Sequence, residues 1–248
     1  MLSIQNVSKS FVDRQDRSVT ILDRISLDIR AGEFVTIFGP NGSGKSTLMN
    51  TISGLDRPSS GNITWDRPDR RVSYLFQDYK ASLLPWKTAY QNIALPLQWQ
   101  GLDRSTIHSR VSKLIDKFQI NIDLNAYPFT LSGGQAQLVS IIRSLAIEPD
   151  LLLLDEPFSA LDYLNSISLL LKLQEIWLKS NFTGIFISHN IDEAIFLGDR
   201  LVILSPKPTQ IIDIIKIELP RPRSINIFSD PTFIKIKQQA INLVAISL

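Results

Sequence analysis

Gly39-Pro40-Asn41-Gly42-Ser43-Gly44-Lys45-Ser46-Thr47 follows the apolar segment Phe34-Val35-Thr36-Ile37-Phe38 and precedes Leu48, Met49 and Ile52. The order predicts a strand, a glycine-rich turn and a helix. Closely spaced glycines let several backbone N–H groups turn inward around a phosphate chain. Lys45 brings a mobile positive charge to the β and γ phosphates, and Ser46 offers a hydroxyl to magnesium. A helix beginning near Lys45 adds the positive end of its dipole. The stretch Gly39 to Thr47 is therefore expected to bind ATP or GTP with Mg2+, in an α/β fold.

A chain of 248 residues can bury a substantial core, as one large α/β domain or as one domain with an inserted piece, and the second is favoured. With 26 basic and 24 acidic residues the formal charge is +2, so no polycationic surface advertises nucleic acid and no acidic run advertises a disordered tail. The absence of cysteine excludes disulfides, thiolate metal sites and a cysteine nucleophile. The N-terminal residues Met1 to Val7 lack the basic stretch and apolar core of a signal peptide, and Asp13, Arg14, Asp16 and Arg17 soon follow. No window approaches the roughly 20 apolar residues that span a bilayer.

Outward from the glycine-rich turn, Ser3 to Val7 and Thr20 to Ile29 alternate like strands around the polar turn Asp13 to Ser18, which predicts an antiparallel sheet. The helix after the turn should stop near Gly54, and strands are expected at Asn62–Trp65 and Arg71–Phe76. Ile107, Val111, Leu114, Ile115 and Phe118 recur at helical spacing, which marks 86–145 as a helical insert. Strand-like runs return at Leu151–Leu154 and Gly184–Ile187 on either side of a helical stretch, Asn165–Lys179, the alternation of a parallel sheet. Residues 1–85 and 146–219 are thus expected to form the core with its antiparallel part, and 220–248 a Pro/Arg linker and short helix. The clusters Asp66–Arg71 and Pro220–Arg223 are expected to be solvated faces.

Leu151-Leu152-Leu153-Leu154-Asp155-Glu156 is an apolar strand ending in two carboxylates. Asp155 is expected to hold magnesium, and Glu156 to face the γ phosphate as base or water-orienting group. His189 follows the strand Gly184–Ile187, where an imidazole could hydrogen-bond the γ phosphate. His108 lies in a polar helical stretch and is expected to be solvated. Leu131-Ser132-Gly133-Gly134-Gln135 is a second glycine-rich turn at a helix start, either another phosphate cradle or a structural cap.

Together these segments resemble the ATP-binding cassette ATPases: phosphate loop, Gln77 as the lid glutamine, Leu131 to Gln135 as the signature, Asp155 and Glu156, Ser159-Ala160-Leu161-Asp162 as the dimer loop, and His189 as the switch histidine, in that order. The resemblance implies a P-loop NTPase fold of that type, with a mixed core sheet, an antiparallel β subdomain and an inserted helical subdomain. It implies that Gly39, Pro40, Asn41, Gly42, Ser43, Gly44, Lys45, Ser46 and Thr47 bind ATP, and that Ser132, Gly133, Gly134 and Gln135 reach the ATP of the other subunit in a head-to-tail homodimer, or heterodimer with a similar ATPase. Ser46, Gln77 and Asp155 are the implied magnesium set, with Glu156, His189, Gln77 and Lys45 catalytic. Phe11 would stack on adenine, unless it packs a small core.

Phe76-Gln77-Asp78, Leu83-Leu84-Pro85-Trp86 and Leu219-Pro220-Arg221-Pro222-Arg223 are similar to the ATPases of bacterial nitrate, sulfonate and taurine importers. That resemblance implies a peripheral subunit on the cytoplasmic face of the inner membrane, two membrane permease subunits docking near Gln77 to Trp86, a periplasmic or lipid-anchored solute-binding protein, and no nucleic-acid partner. Leu83, Leu84 and Trp86 either form that docking patch or pack the insert on the core. Ala136 and Leu138 depart from the family, standing where basic residues are common, and the 78–82 segment is longer than usual. A soluble cassette acting on nucleic acid or the ribosome is the alternative; such proteins commonly carry a long coiled coil or two linked cassettes, which this chain does not.

Overall fold

The computed structural model of the protein describes residues 1–78, 82–180 and 182–247. The chain gathers into two compact units, Met1–Arg70 with Thr183–Leu248, and Arg71–Phe182.

In the first unit, β1 (Leu2–Val12) lies between β2 (Ser18–Ile29) and β4 (Ser60–Trp65) in an antiparallel sheet. Leu2, Ile4 and Val7 point inward from β1, as a one-sided pattern demands. Asp13 shapes the connecting turn by accepting hydrogen bonds from the backbone N–H groups of Gln15 and Arg17. A mixed sheet makes up the rest. β3 (Phe34–Phe38) pairs in parallel with β7 (Thr183–Ile187) on one side and β8 (Arg200–Leu204) on the other, and β9 (Ile211–Lys216) runs antiparallel to β8. The central strand and its parallel neighbours are apolar on both faces, the signature of strands covered on both sides. Gly184 is required by packing: a Cβ there would meet the Phe34 ring at 2.6 Å. Helix α1 (Lys45–Ser53) stops on Gly54, whose φ of 83° is left-handed.

The terminal helix, expected to be short, runs for 17 residues from Pro231 to Ser247. Phe233, Ile236 and Ala240 recur at helical spacing and bury against Ile195, Leu201, Ile203 and Ile215, so tertiary burial rather than propensity sustains its length.

The linker before it corrects a second expectation. Asp66 to Asp69 are solvated, but Arg223 is only 3% exposed. Its Nη1 donates to the carbonyls of Ile195, Phe196 and Gly198 at 2.7 to 2.9 Å, at the C-terminal end of a helix spanning Ile191–Leu197. Arg221 pairs with Asp199 at 2.9 Å. The last carbonyls of a helix lack intrahelical partners, and a planar guanidinium can serve several at once. Burial pulls the Arg223 guanidinium down to about 9, with repulsion from Arg221 adding and attraction to Asp199 opposing, so it stays charged at neutral pH.

In the second unit, β5 (Val72–Leu75) and β6 (Leu151–Asp155) are parallel, with Tyr74 opposite Leu153. Around them lie α2 (Ala89–Trp99), α3 (Arg104–Phe118), α4 (Gly133–Leu145) and α5 (Tyr163–Ser180). Their apolar faces supply Ile93, Leu97, Val111, Phe118, Val139, Ile142 and Leu173, all nearly inaccessible. The starts of α2 and α3 are fixed by local chemistry: Thr88 and Gln91 form a capping box, and Asp103 accepts from the N–H groups of Ser105 and Thr106. His108 is exposed on α3 beside the Tyr90 ring.

Candidate active site

The phosphate loop leaves the end of β3 and enters α1 without any side-chain cap on that helix. Gly44 occupies the cap position with φ 96°, and a Cβ there would lie 2.6 Å from Ile21, so both conformation and space require glycine. Lys45 Nζ folds over the loop and donates to the carbonyls of Gly39 and Pro40 at 3.1 and 3.0 Å. The hydroxyl of Thr209 donates to Ser43 O and the backbone N–H of Thr209 to Ile21 O, which ties the turn to its own unit. Ser43 Oγ is buried with no partner among the described residues, a donor an incoming phosphate oxygen would satisfy. Asn41, Gly42 and Ser46 are exposed and Thr47 is half-buried.

His189 belongs to the same unit. It follows β7, whose Ile187 is in register with Ile37 of β3, so the imidazole and the phosphate loop leave neighbouring parallel strands at the same ends. His189 is exposed and its flanks are braced. Ser188 Oγ donates to Glu193 at 2.5 Å and accepts from the N–H of Asn190 at 2.9 Å, and Asn190 caps the following helix. Phe11 is 42% exposed opposite Val19 on the β1–β2 hairpin, with Lys9 Nζ 4.8 Å from its ring centroid. It is not a core residue.

The second unit collects Gln77, Asp155 and Glu156. Gln77 Nε2 donates to Glu156 Oε2 at 3.1 Å. Glu156 has φ 44°, a left-handed conformation that costs a non-glycine residue about 1–2 kcal/mol. Ser159 holds that turn by donating from N and Oγ to Glu156 O at 3.2 and 3.0 Å. Such strain concentrates at functional sites. Asp155 is 4% exposed at the end of β6 and accepts a hydrogen bond from Tyr74 Oη at 3.2 Å. Burial, reinforced by the adjacent Asp155 carboxylate, pushes the Tyr74 phenol far above its ordinary range and keeps it a donor.

The signature turn is in this unit too. Ser132 Oγ accepts from Gln135 N, and Gln135 Oε1 accepts from Ser132 N, a complete capping box that leaves the serine hydroxyl proton free to donate. Gly134 is buried against Asn165, where a Cβ would approach Oδ1 to 3.2 Å, and Asn165 in turn donates to Asp162. Ala136 is buried and Leu138 half-buried, so the helix forms without basic residues at those positions.

Of the docking stretch, Tyr79, Lys80 and Ala81 lie outside the described residues, and with them most of the segment expected to be longer than usual. Leu83 is buried while Trp86 is 70% exposed. Two residues that sequence reasoning left unassigned here organise this stretch. Buried Asn92 accepts from Leu84 N and donates to the carbonyls of Leu84, Lys87 and Thr88, and Arg143 of α4 donates to Ser82 O and Oγ at 2.6 and 3.0 Å. Asn92 follows a capping box by one position, a local signal; nothing near Arg143 in sequence indicates Ser82.

For a metal, the expected ligands offer only oxygen: a hydroxyl from Ser46, a carboxamide from Gln77 and a carboxylate from Asp155. That is the set a hard cation takes, and Mg2+ commonly uses one or two carboxylates with substrate phosphates. Among the described residues no three His, Cys, Asp or Glu cluster to build a cage that would suit a transition metal.

The family model for ABC transporters matches residues 22–159. The chain is 40% identical to the aliphatic sulfonates import ATP-binding protein SsuB of Bacillus cereus over 90% of its own length and 88% of that protein. It is 42% identical to the nitrate import ATP-binding protein NrtC of Synechococcus elongatus, over 90% of this chain and 35% of that protein. Its backbone resembles the dimeric post-hydrolysis state of an ATP-binding cassette bound to ADP and Pi, with a TM-score of 0.75 and 28% identity, over 89% of this chain and 100% of that one. An uncapped phosphate loop beside His189, and a strained Glu156 beside Gln77, are thus features of a chain that belongs to the ABC transporter family, as one of its ATP-binding cassette ATPases.

Proposed function

We propose that this protein is the ATP-hydrolysing subunit of an importer for a small solute, with an anion such as a sulfonate or nitrate as the substrate class. The observation that carries the reading is the near full-length similarity to the sulfonate import protein. Among the described residues no helix is long and apolar enough to cross a membrane. In the proposed complex the membrane pathway belongs to partner subunits. Two permease subunits would dock near Gln77 to Trp86, where exposed Trp86 offers an anchor and Arg143 ties Ser82 to the signature helix. A periplasmic or lipid-anchored solute-binding protein would deliver the substrate, and the subunit would sit on the cytoplasmic face of the inner membrane.

In the proposed cycle two cassettes, identical or similar, close on ATP, and closure moves the permeases. Lys45 and the amides of 39–47 hold the phosphates. Ser46, Gln77 and Asp155 would hold Mg2+, which when bound neutralises phosphate charge. Glu156 orients or deprotonates water, His189 contacts the γ phosphate, Phe11 stacks on adenine, and Ser132 to Gln135 complete the site of the other subunit. The strained Glu156 gives the sharpest catalytic test. Glu156→Gln keeps shape but removes the base, and phosphate release at saturating ATP should fall about 10²- to 10³-fold while ATP is retained. Near-normal turnover removes Glu156 from that role.

The importer reading is tested by purifying the tagged chain from its native membrane. A multi-span permease should accompany it, and ATP hydrolysis by the complex should rise when the loaded solute-binding protein is added. Titration of the isolated subunit with sulfonate, taurine and nitrate should give no heat of binding. Specific micromolar binding of an anion to the subunit alone, or co-purification with ribosomes or nucleic acid instead of a permease, overturns the reading.

A further inference from the structure

We infer that Tyr74 is a positioning residue for the metal, holding the Asp155 carboxylate in place through its phenol; the inference rests on the proposal that Asp155 binds Mg2+. The strand register makes the contact. Tyr74 is in register with Leu153, and residues two apart on a strand share a face, so Asp155 comes up beside the Tyr74 ring rather than behind it. The phenol then reaches Asp155 Oδ2 at 3.2 Å. The ring itself is fixed, since Phe76, two positions further along the same face, stacks on it with centroids 4.1 Å apart and planes at 24°.

The chemistry of this donor matters. A buried carboxylate needs hydrogen-bond partners, and at 4% exposure Asp155 takes few from solvent. Lysine or arginine at position 74 would satisfy it but would also place a positive charge beside a cation site and compete with the metal. A phenol supplies a hydrogen bond to the charged form while leaving the full negative charge to the ion. Because Tyr74 lies three residues before Gln77, whose side chain contacts Glu156, one strand end orients both carboxylates of the pair by neutral donors. Such outer contacts commonly tune metal affinity without touching the metal.

The test uses the full chain with a non-hydrolysable ATP analogue and Mn2+ as probe, read by the loss of free Mn2+ signal in electron paramagnetic resonance. Tyr74→Phe removes one oxygen atom and preserves the ring stack. It should weaken Mn2+ binding to the nucleotide complex about 10- to 100-fold, the usual loss when an outer-shell hydrogen bond to a metal ligand is removed. Binding of the analogue in EDTA should stay within about twofold of the parent, because the phosphate loop is untouched. Unchanged Mn2+ affinity, or an equal loss of nucleotide affinity with and without metal, overturns the inference, the second by showing general damage. Asp155→Asn separates this result from the reading beneath it. If that variant weakens Mn2+ and Tyr74→Phe does not, only the role of Tyr74 falls; if Asp155→Asn binds Mn2+ like the parent, the magnesium role of Asp155 falls and the inference with it.

Discussion

Two glycine-rich turns, Gly39 to Thr47 and Leu131 to Gln135, each lead into a helix, yet they treat their backbone donors in opposite ways. Helix α1 starts on a left-handed glycine with no side-chain cap, so its first N–H groups have no local side-chain acceptor. Helix α4 starts on Ser132 with a complete capping box, in which Ser132 and Gln135 serve each other. The first turn leaves its helix without a side-chain cap, as the proposed phosphate site requires. The second is already a stable cap, and offers what the cap leaves over: a serine hydroxyl proton and the remaining glycine amides. On the proposed roles, a turn that binds nucleotide by itself is built differently from one that completes a site made elsewhere.

The largest effect should come from a crossed pair of substitutions. Lys45→Ala removes the charge that sits over the loop, and the affinity of a single subunit for ATP should fall about 10²-fold, the range for losing charge-assisted hydrogen bonds. Ser132→Arg should leave that affinity within about twofold, since the changed residue is outside the subunit's own phosphate loop. In a Glu156→Gln background the same arginine should abolish ATP-dependent dimerisation, read by light scattering with and without ATP. If Ser132→Arg dimerises normally, the signature turn is only a helix cap and the contrast collapses.

A smaller effect separates the glycines. Gly44→Ala puts a Cβ 2.6 Å from Ile21 at φ 96°, and should lower unfolding stability by about 2 kcal/mol. Gly134→Ala meets only the Asn165 side chain at 3.2 Å and gains helix propensity, so the net change should stay within about 1 kcal/mol. Urea denaturation of both variants, with slopes compared to the parent, measures the difference. Equal losses would mean that the two turns are constrained alike.

What was legible in the sequence was local. The places of the loop Gly39 to Thr47, the carboxylates after Leu151–Leu154 and the histidine after Gly184–Ile187 were readable because each closely follows a short apolar strand. The helix ending at Gly54 was readable from its cap residue for the same reason. The terminal helix was anticipated as short because its length depends on Phe233, Ile236 and Ala240 meeting apolar partners distant in the chain. Arg223 read as a solvated cation, since nothing nearby in sequence says that the carbonyls of Ile195, Phe196 and Gly198 await it.

By itself, then, the sequence determined the order of strands, turns and helices, the glycine spacing of Gly39 to Thr47 and the place of the two carboxylates at a strand end, because backbone propensity and motif spacing act over a few residues. Tertiary structure alone decided the partners of those groups: that Tyr74 meets Asp155, that Gln77 meets Glu156, and that Arg143 holds Ser82. Those contacts follow from strand register and helix packing, which fix faces and directions only when segments far apart in the chain bury their apolar sides together.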